Sequence, residues 1–190
     1  MTKTVNHLYE EVTIAGFGGQ GIILVGKLLA QAAMKAGREV TFMPSYGAEV
    51  RGGASNCMVI ISDQPIPSPV VSNPQCVIAM SKAALAKFEK TIKKGGTLII
   101  NSSQIDVQPK VDSSVEVVKI PIDEIAVGLG NAKIANMVAL GAYLQKRGTF
   151  SPDEAAESLP DVLAERYHVI IPLNKKAIQK GAQFVKESVG

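Results

Sequence analysis

Short apolar runs alternate with longer helical segments along most of the chain. The first pair is an apolar run at residues 11–15, which predicts a buried strand, followed by a helical segment at residues 22–34. This alternation predicts an α/β fold: a Rossmann-like three-layer sandwich with a mostly parallel sheet and helices on both faces. The region 54–71 is also compatible with an antiparallel hairpin or edge. The other predicted strands are 39–43, 54–62, 76–80, 97–100 and 115–120, and the other predicted helices are 82–92, one from 121, 132–146, 151–165 and 172–187. Ser151 and Glu154 predict a capping box at the start of the 151–165 helix. Asn131 is predicted to cap the 132–146 helix, with an anion contact at that helix start as the alternative.

The ends of this pattern set the limits of the predicted domain. Residues 1–10 are polar and lack the apolar core of a signal peptide, so we predict a flexible leader there. Residues 11–190 are predicted to form a single domain, as their length suggests. No apolar run approaches the roughly 18 residues that a membrane-spanning helix needs, so no membrane association is expected.

Composition and charge narrow the function classes. The chain is 46% hydrophobic but only 5% aromatic, which suits an aliphatic α/β core. Its net charge of +3 is mild and no basic block occurs, so nucleic acid binding is not expected, whereas an acidic ligand or partner would be favoured. His7 and His168 have no Ser, Cys or carboxylate at a telling spacing, so no catalytic residue is predicted in this chain.

The chain has two cysteines, Cys57 and Cys76, and both lie in apolar runs. We expect them to be buried thiols of a cytoplasmic protein. Neither belongs to a C-x-x-C pair, so the chain alone is not expected to hold a metal ion or an iron–sulfur cluster.

A glycine-rich turn connects the first predicted strand to the first predicted helix. Glycines allow a tight turn and close approach of a ligand to the backbone, and the free N–H groups at a helix start can bind a phosphate or carboxylate. We therefore predict an anion or cofactor contact here, with a packing turn that holds no ligand as the alternative. The candidate residues are Gly16, Gly18, Gly19, Gln20 and Gly21.

Two more specific interpretations of this turn are disfavoured. A dinucleotide site of the NAD or FAD type needs an acidic residue at the end of the second strand, and the strand at 39–43 is followed by Pro44 and Ser45 instead. The stretch 21–28 approaches a nucleotide triphosphatase loop, but Leu28 stands where that loop needs Ser or Thr to bind magnesium.

The segment 44–53 is predicted to be an irregular loop, and loops carry function more often than cores do. In an open sheet it would meet the glycine turn and residues 101–103 beyond the carboxyl ends of the strands. Arg51 would suit a phosphate or carboxylate, with Glu49 orienting it, while a plain Glu49–Arg51 surface pair is the alternative. The candidate residues are Ser45, Tyr46, Glu49, Arg51, Gly52 and Gly53.

Four stretches together resemble the gamma subunit of 2-oxoacid:ferredoxin oxidoreductases. They are the glycine turn 16–21, the loop 45–53 with its Tyr-Gly-x-Glu-x-Arg-Gly-Gly pattern, the strand end and proline segment 59–69, and Asn-Met-Val-Ala-Leu-Gly at 136–141. The resemblance covers about residues 11 to 185, and the loop is its most specific part. The residues of this loop most resemble those of the 2-oxoglutarate branch of the family, with the pyruvate and branched-chain 2-oxoacid enzymes as near relatives.

The resemblance implies a subunit of an enzyme that oxidatively decarboxylates a 2-oxoacid, reduces ferredoxin and makes an acyl-coenzyme A. Thiamine diphosphate, magnesium and iron–sulfur clusters are expected in partner chains, namely alpha, beta and ferredoxin-like delta subunits. This chain would help to bind coenzyme A and to close the active site, and it would be inactive alone. Tyr46, Glu49 and Arg51 would lie at the interface with the catalytic subunits. A homodimer of the isolated subunit is compatible with the same resemblance.

Two other functions compete with this interpretation. One is a non-enzymatic scaffold of the same complex, in which the glycine turn holds no ligand. The other is a free-standing NAD(P)- or FAD-binding Rossmann protein, which the missing acidic residue after the second strand disfavours.

Overall fold

The computed structural model describes residues 7–46 and 53–188. Within these residues there are six strands and seven α-helices, and the six strands lie where the apolar pattern predicts them. The strands are β1 Tyr9–Phe17, β2 Glu39–Tyr46, β3 Ala54–Ser62, β4 Cys76–Ala79, β5 Thr97–Asn101 and β6 Glu116–Ile120. The helices are α1 Ile22–Lys35, α2 Lys82–Phe88, α3 Ile122–Gly128, α4 Ala135–Arg147, α5 Pro152–Ala156, α6 Leu159–Val162 and α7 Ile171–Ser188, with 3-10 helices at Ala132–Ile134 and Glu165–Ile170.

The six strands form one mixed sheet in the order β2-β3-β1-β4-β5-β6. Strand β1 pairs with β4, β4 with β5, and β5 with β6 in parallel. Strand β3 pairs antiparallel with both β1 and β2. The antiparallel pairs therefore lie at the β2 edge of the sheet. The alternative of a hairpin within 54–71 does not occur, since residues 63–71 contain no strand.

Helices cover both faces of the sheet, as predicted for the three-layer sandwich. Adjacent residues of β4 point to opposite faces. Ile78 belongs to a core cluster with residues of α1, α4 and α7. Its neighbour Val77 belongs to a second, smaller cluster with Leu85 and Phe88 of α2.

Strands β1 and β2 are both longer than predicted, and the other strands differ from the prediction by at most one residue at an end. Strand β1 begins at Tyr9, so the last two residues of the predicted leader belong to the sheet, and Glu10 is only 5% exposed. Strand β2 continues to Tyr46 and includes Pro44. Because β2 is the edge strand, a residue without an N–H is tolerated in it.

The helix predicted at 151–165 is wrong as a single element. It is two short helices, α5 and α6, followed by a 3-10 helix. Pro160 is the physical reason, since it has no N–H to donate to the carbonyl of Ala156. The predicted capping box at the start is confirmed, because Ser151 and Glu154 exchange side-chain to backbone hydrogen bonds.

Both thiols are fully buried, as predicted. Burial raises the pKa of Cys57 to about 12 and raises that of Cys76 as well. Since the thiolate is the reactive form, neither cysteine is suited to act as a nucleophile at neutral pH. Among the helices in the described part of the chain, none combines the length and the apolar character needed to cross a membrane.

Candidate functional site

The glycine turn and the segment after β2 lie at the same edge of the sheet. Strands β1 and β2 run in the same direction because both are antiparallel to β3. The last residues of these two strands, Phe17 and Tyr46, pair with adjacent residues of β3, Ala54 and Ser55. The carboxyl ends of the two strands therefore meet, as the sequence predicted, and this edge is where open α/β sheets bind ligands.

A backbone hydrogen bond joins the two segments directly. The N–H of Gly18 donates to the carbonyl oxygen of Gly53 at 2.9 Å. The glycine turn therefore touches the residue at which the segment 47–52 returns to the sheet. Ser45 is exposed at the end of β2.

Part of the predicted loop lies outside the described residues. Glu49, Arg51 and Gly52 belong to that part, and so do Gly47, Ala48 and Val50. The roles that the sequence predicts for Glu49, Arg51 and the Tyr46 side chain thus stay predictions.

The third predicted segment, Asn101–Ser103, is engaged in its own turn. The Asn101 side chain is completely buried, and its Nδ2 donates to Asp123 Oδ1 at 2.9 Å. Its Oδ1 accepts the backbone N–H of Ser103 at 3.2 Å. Strand β4 lies between β5 and β1 in the sheet. Among the described residues, no hydrogen bond joins this segment to the glycine turn.

Helix α1 begins directly after the glycine turn and has no side-chain cap among the described residues. Gly21 is the N-cap, with a φ of 73° that favours glycine, and its carbonyl accepts the first helical bond, from Val25 N–H. The preceding N–H groups have no acceptor within the helix. A helix start of this kind presents donors and positive dipole to an anion.

The amino end of helix α4 meets the same turn, which sequence spacing could not show. Asn136, in the first turn of α4, is 4% exposed, and its Nδ2 donates to the carbonyl oxygen of Gly21 at 3.3 Å. The predicted capping role of Asn131 is confirmed, since its Oδ1 accepts the N–H of Lys133 at 3.0 Å. The only sequence signal for Asn136 was its place at the start of the 136–141 stretch.

The described residues contain no group of three or more His, Cys, Asp or Glu side chains placed to hold a metal ion. The polar groups that this edge offers a ligand include the backbone N–H groups of a glycine-lined helix start, a group of donors suited to an anion.

The sequence profile of the family described as "Pyruvate ferredoxin/flavodoxin oxidoreductase" matches residues 11–184. A 2-oxoglutarate synthase subunit KorC of Methanocaldococcus jannaschii is 35% identical, over 98% of this chain and 100% of its own length. A ketoisovalerate oxidoreductase subunit VorA of Methanothermobacter thermautotrophicus is 33% identical over 94% of this chain. The chain spans only 37% of the length of that relative.

Solved structures of similar proteins share the fold. The gamma subunit of a keto/oxoacid ferredoxin oxidoreductase from Geobacter sulfurreducens matches with a TM-score of 0.79 and 30% identity, over 94% of this chain and 99% of that one. A 2-oxoglutarate:ferredoxin oxidoreductase from Magnetococcus marinus, solved with 2-oxoglutarate, coenzyme A and succinyl-CoA bound, matches with a TM-score of 0.84 and 26% identity. That match covers 94% of this chain and 31% of the other.

Proposed function

The chain belongs to the pyruvate ferredoxin/flavodoxin oxidoreductase family, and we propose that it is the gamma-type subunit of a 2-oxoacid:ferredoxin oxidoreductase. The complex would oxidatively decarboxylate a 2-oxoacid to an acyl-coenzyme A and pass the electrons to ferredoxin. The full-length match to a KorC subunit and the match to a gamma subunit structure support this assignment. They also favour 2-oxoglutarate as the substrate, with the branched-chain acids next.

We infer that the catalytic cofactors reside in partner chains. The matched region is only 31% of the Magnetococcus chain and 37% of the VorA chain, which supports further domains or subunits beside this one. Alpha, beta and ferredoxin-like delta subunits would supply thiamine diphosphate, magnesium and iron–sulfur clusters. The isolated subunit is expected to be inactive, and its place is the cytoplasm.

For this chain we propose the role of holding coenzyme A at the glycine-turn edge of the sheet. The single observation that carries this is the 2.9 Å bond from Gly18 N–H to the Gly53 carbonyl, because it joins the uncapped start of α1 to the segment that contains Arg51. Coenzyme A, when bound, supplies the thiol that accepts the acyl group.

The donors at this edge fit the phosphates of coenzyme A. The N–H groups that follow Gly21 are suited to phosphate oxygens, and glycine there lets a ligand approach the backbone. Arg51 would add a guanidinium fork to a phosphate, with Glu49 orienting it. Gly18, Gly19, Gly52 and Gly53 would leave room for the ligand, while Ser45 and Tyr46 would line the side toward the catalytic subunits.

Replacement of Arg51 in the assembled complex tests this role. We expect Arg51→Ala to raise the KM for coenzyme A about 10- to 100-fold, the size of a lost charge-assisted hydrogen bond. Arg51→Lys should be intermediate because it keeps the charge but not the fork. Arg166→Ala, in the exposed 3-10 helix after α6, is the matched control.

The outcomes of this test separate the competing functions. An Arg51→Ala complex with unchanged coenzyme A kinetics and full turnover would exclude the coenzyme A contact and leave a scaffold. If the purified chain is found without chains that carry thiamine and iron–sulfur motifs and instead binds a nicotinamide, the subunit assignment is wrong. A panel of 2-oxoacids assayed by dye reduction identifies the preferred substrate.

A further inference from the structure

Gln20 uses both ends of its side-chain amide inside the protein. The backbone N–H of Phe17 donates to Gln20 Oε1 at 2.7 Å, and Gln20 Nε2 donates to the carbonyl oxygen of Met80 at 3.2 Å. The first bond closes the glycine turn, and the second ties it to the residue after β4. Reversing the amide would set an oxygen against the Met80 carbonyl, so both partners define one orientation.

The space around this side chain is filled on the strand side. A Cβ atom on Gly16 would lie 2.3 Å from Gln20 Oε1 and 3.0 Å from the Met80 Cβ. Glycine at position 16 therefore makes room for Gln20 rather than for a ligand. The sequence predicted that Gln20 contacts a cofactor, but its polar atoms are already engaged by Phe17 and Met80.

Asn136 holds the opposite side of the turn. Its Nδ2 donates to the Gly21 carbonyl oxygen, and a Cβ atom on Gly21 would lie 2.3 Å from that nitrogen. Asn136 is almost completely buried, and α4 behind it packs closely against α7. The turn is thus fixed between the end of β4 and the start of α4.

We propose that Gln20 and Asn136 are positioning residues that hold the glycine turn so that the N–H groups at the start of α1 face an anionic group of coenzyme A. This assignment rests on the proposed function of the same edge. Donors that are held in place bind an anion without first losing conformational freedom, so loosening the turn weakens binding even though neither residue touches the ligand.

The variant Gln20→Met tests this because it keeps the length of the side chain and removes both hydrogen bonds without adding charge. In the assembled complex we expect the KM for coenzyme A to rise about tenfold, equivalent to about 1.4 kcal/mol, with kcat nearly unchanged. With pantetheine, a thiol acceptor that lacks the phosphates of coenzyme A, kcat/KM should equal that of the wild-type complex. Gln145→Met, exposed on α4, is the matched control.

The comparison between the two acceptors separates positioning from stability. Equal losses with coenzyme A and pantetheine, or wild-type kinetics with both, would overturn the assignment. If Gln20→Met does not assemble, Asn136→Leu carries the test, because it also removes a hydrogen bond to the turn without adding charge. A wild-type complex that makes product without coenzyme A would instead overturn the proposed function itself.

Asn136→Leu gives an independent check from the other side of the turn. It removes the donor to the Gly21 carbonyl while keeping a similar volume. We expect the same selective rise in the KM for coenzyme A. A variant that loses activity equally with both acceptors would contradict the assignment for this residue.

Discussion

Arg147 donates two hydrogen bonds to the carboxylate of Glu10, from Nε to Oε1 and from Nη2 to Oε2, each 2.8 Å long. Glu10 belongs to β1 and is 5% exposed, while Arg147 ends helix α4, so the pair joins elements 137 residues apart. The Nη1 atom of Arg147 also donates to Thr97 Oγ1 of β5 at 3.4 Å. Glu10 and Thr97 lie at the amino ends of β1 and β5, so the pair attaches the last turn of α4 to that side of the sheet. Asn136 lies in the first turn of α4, beside the carboxyl ends of the strands.

Loss of Arg147 should therefore be costly. We expect Arg147→Met to lower the free energy of unfolding by about 3 kcal/mol, because the Glu10 carboxylate would stay buried without its partner. The double variant Glu10→Leu/Arg147→Met should recover much of that loss, since no buried charge remains. Urea unfolding of the isolated chain measures both. A single variant as stable as the wild type would show that the pair contributes nothing.

The crossing of α4 and α7 requires glycine on both helices. A Cβ atom on Gly141 would lie 1.8 Å from the carbonyl oxygen of Ile178, and one on Gly181 would lie 2.0 Å from that of Val138. Gly141→Ala should destabilise the chain by about 3 kcal/mol or more, since the helices must move apart. Gly128→Ala is the control, because a Cβ there meets nothing within 4 Å and should stabilise slightly. Thermal unfolding compares the two, and similar melting temperatures would contradict this prediction.

Three buried acidic groups predict a loss of stability at alkaline pH. Burial raises the pKa of Cys57 to about 12, and it raises the pKa of Cys76 and Tyr143 as well. In the unfolded chain a thiol loses its proton near pH 8.5, so the folded state binds protons more tightly above that value. The stabilisation from each thiol is complete below about pH 8.5 and is lost as pH rises further, by about 1.4 kcal/mol per pH unit for each thiol. For Tyr143 the loss begins only above about pH 10, where an unfolded tyrosine loses its proton.

The measurement is the free energy of unfolding as a function of pH between about pH 8 and pH 10.5. Cys57→Val should make the fall of the free energy of unfolding with pH less steep by about 1.4 kcal/mol per pH unit, the contribution of one thiol. An unchanged slope in that variant would show that this thiol does not take part.

The sequence alone was sufficient for the fold class and for most elements. Alternating apolar runs and amphipathic segments predict strands and helices because each element must bury one face, and this constraint is local. The capping box at Ser151 and the burial of Cys57 and Cys76 followed from local patterns in the same way. The family was also predicted from short stretches such as 16–21 and 136–141, and the match of the family profile to residues 11–184 supports that prediction.

Contacts between distant residues were decided only by the tertiary structure. Sequence spacing cannot show three hydrogen bonds between distant residues, namely those from Gln20 to Met80, from Asn136 to Gly21 and from Arg147 to Glu10. The position of β3 between β1 and β2, which brings the glycine turn beside Gly53, is of the same kind. Which strands become neighbours depends on how the whole chain packs its apolar faces, and a local pattern of hydrophobic positions does not contain that information.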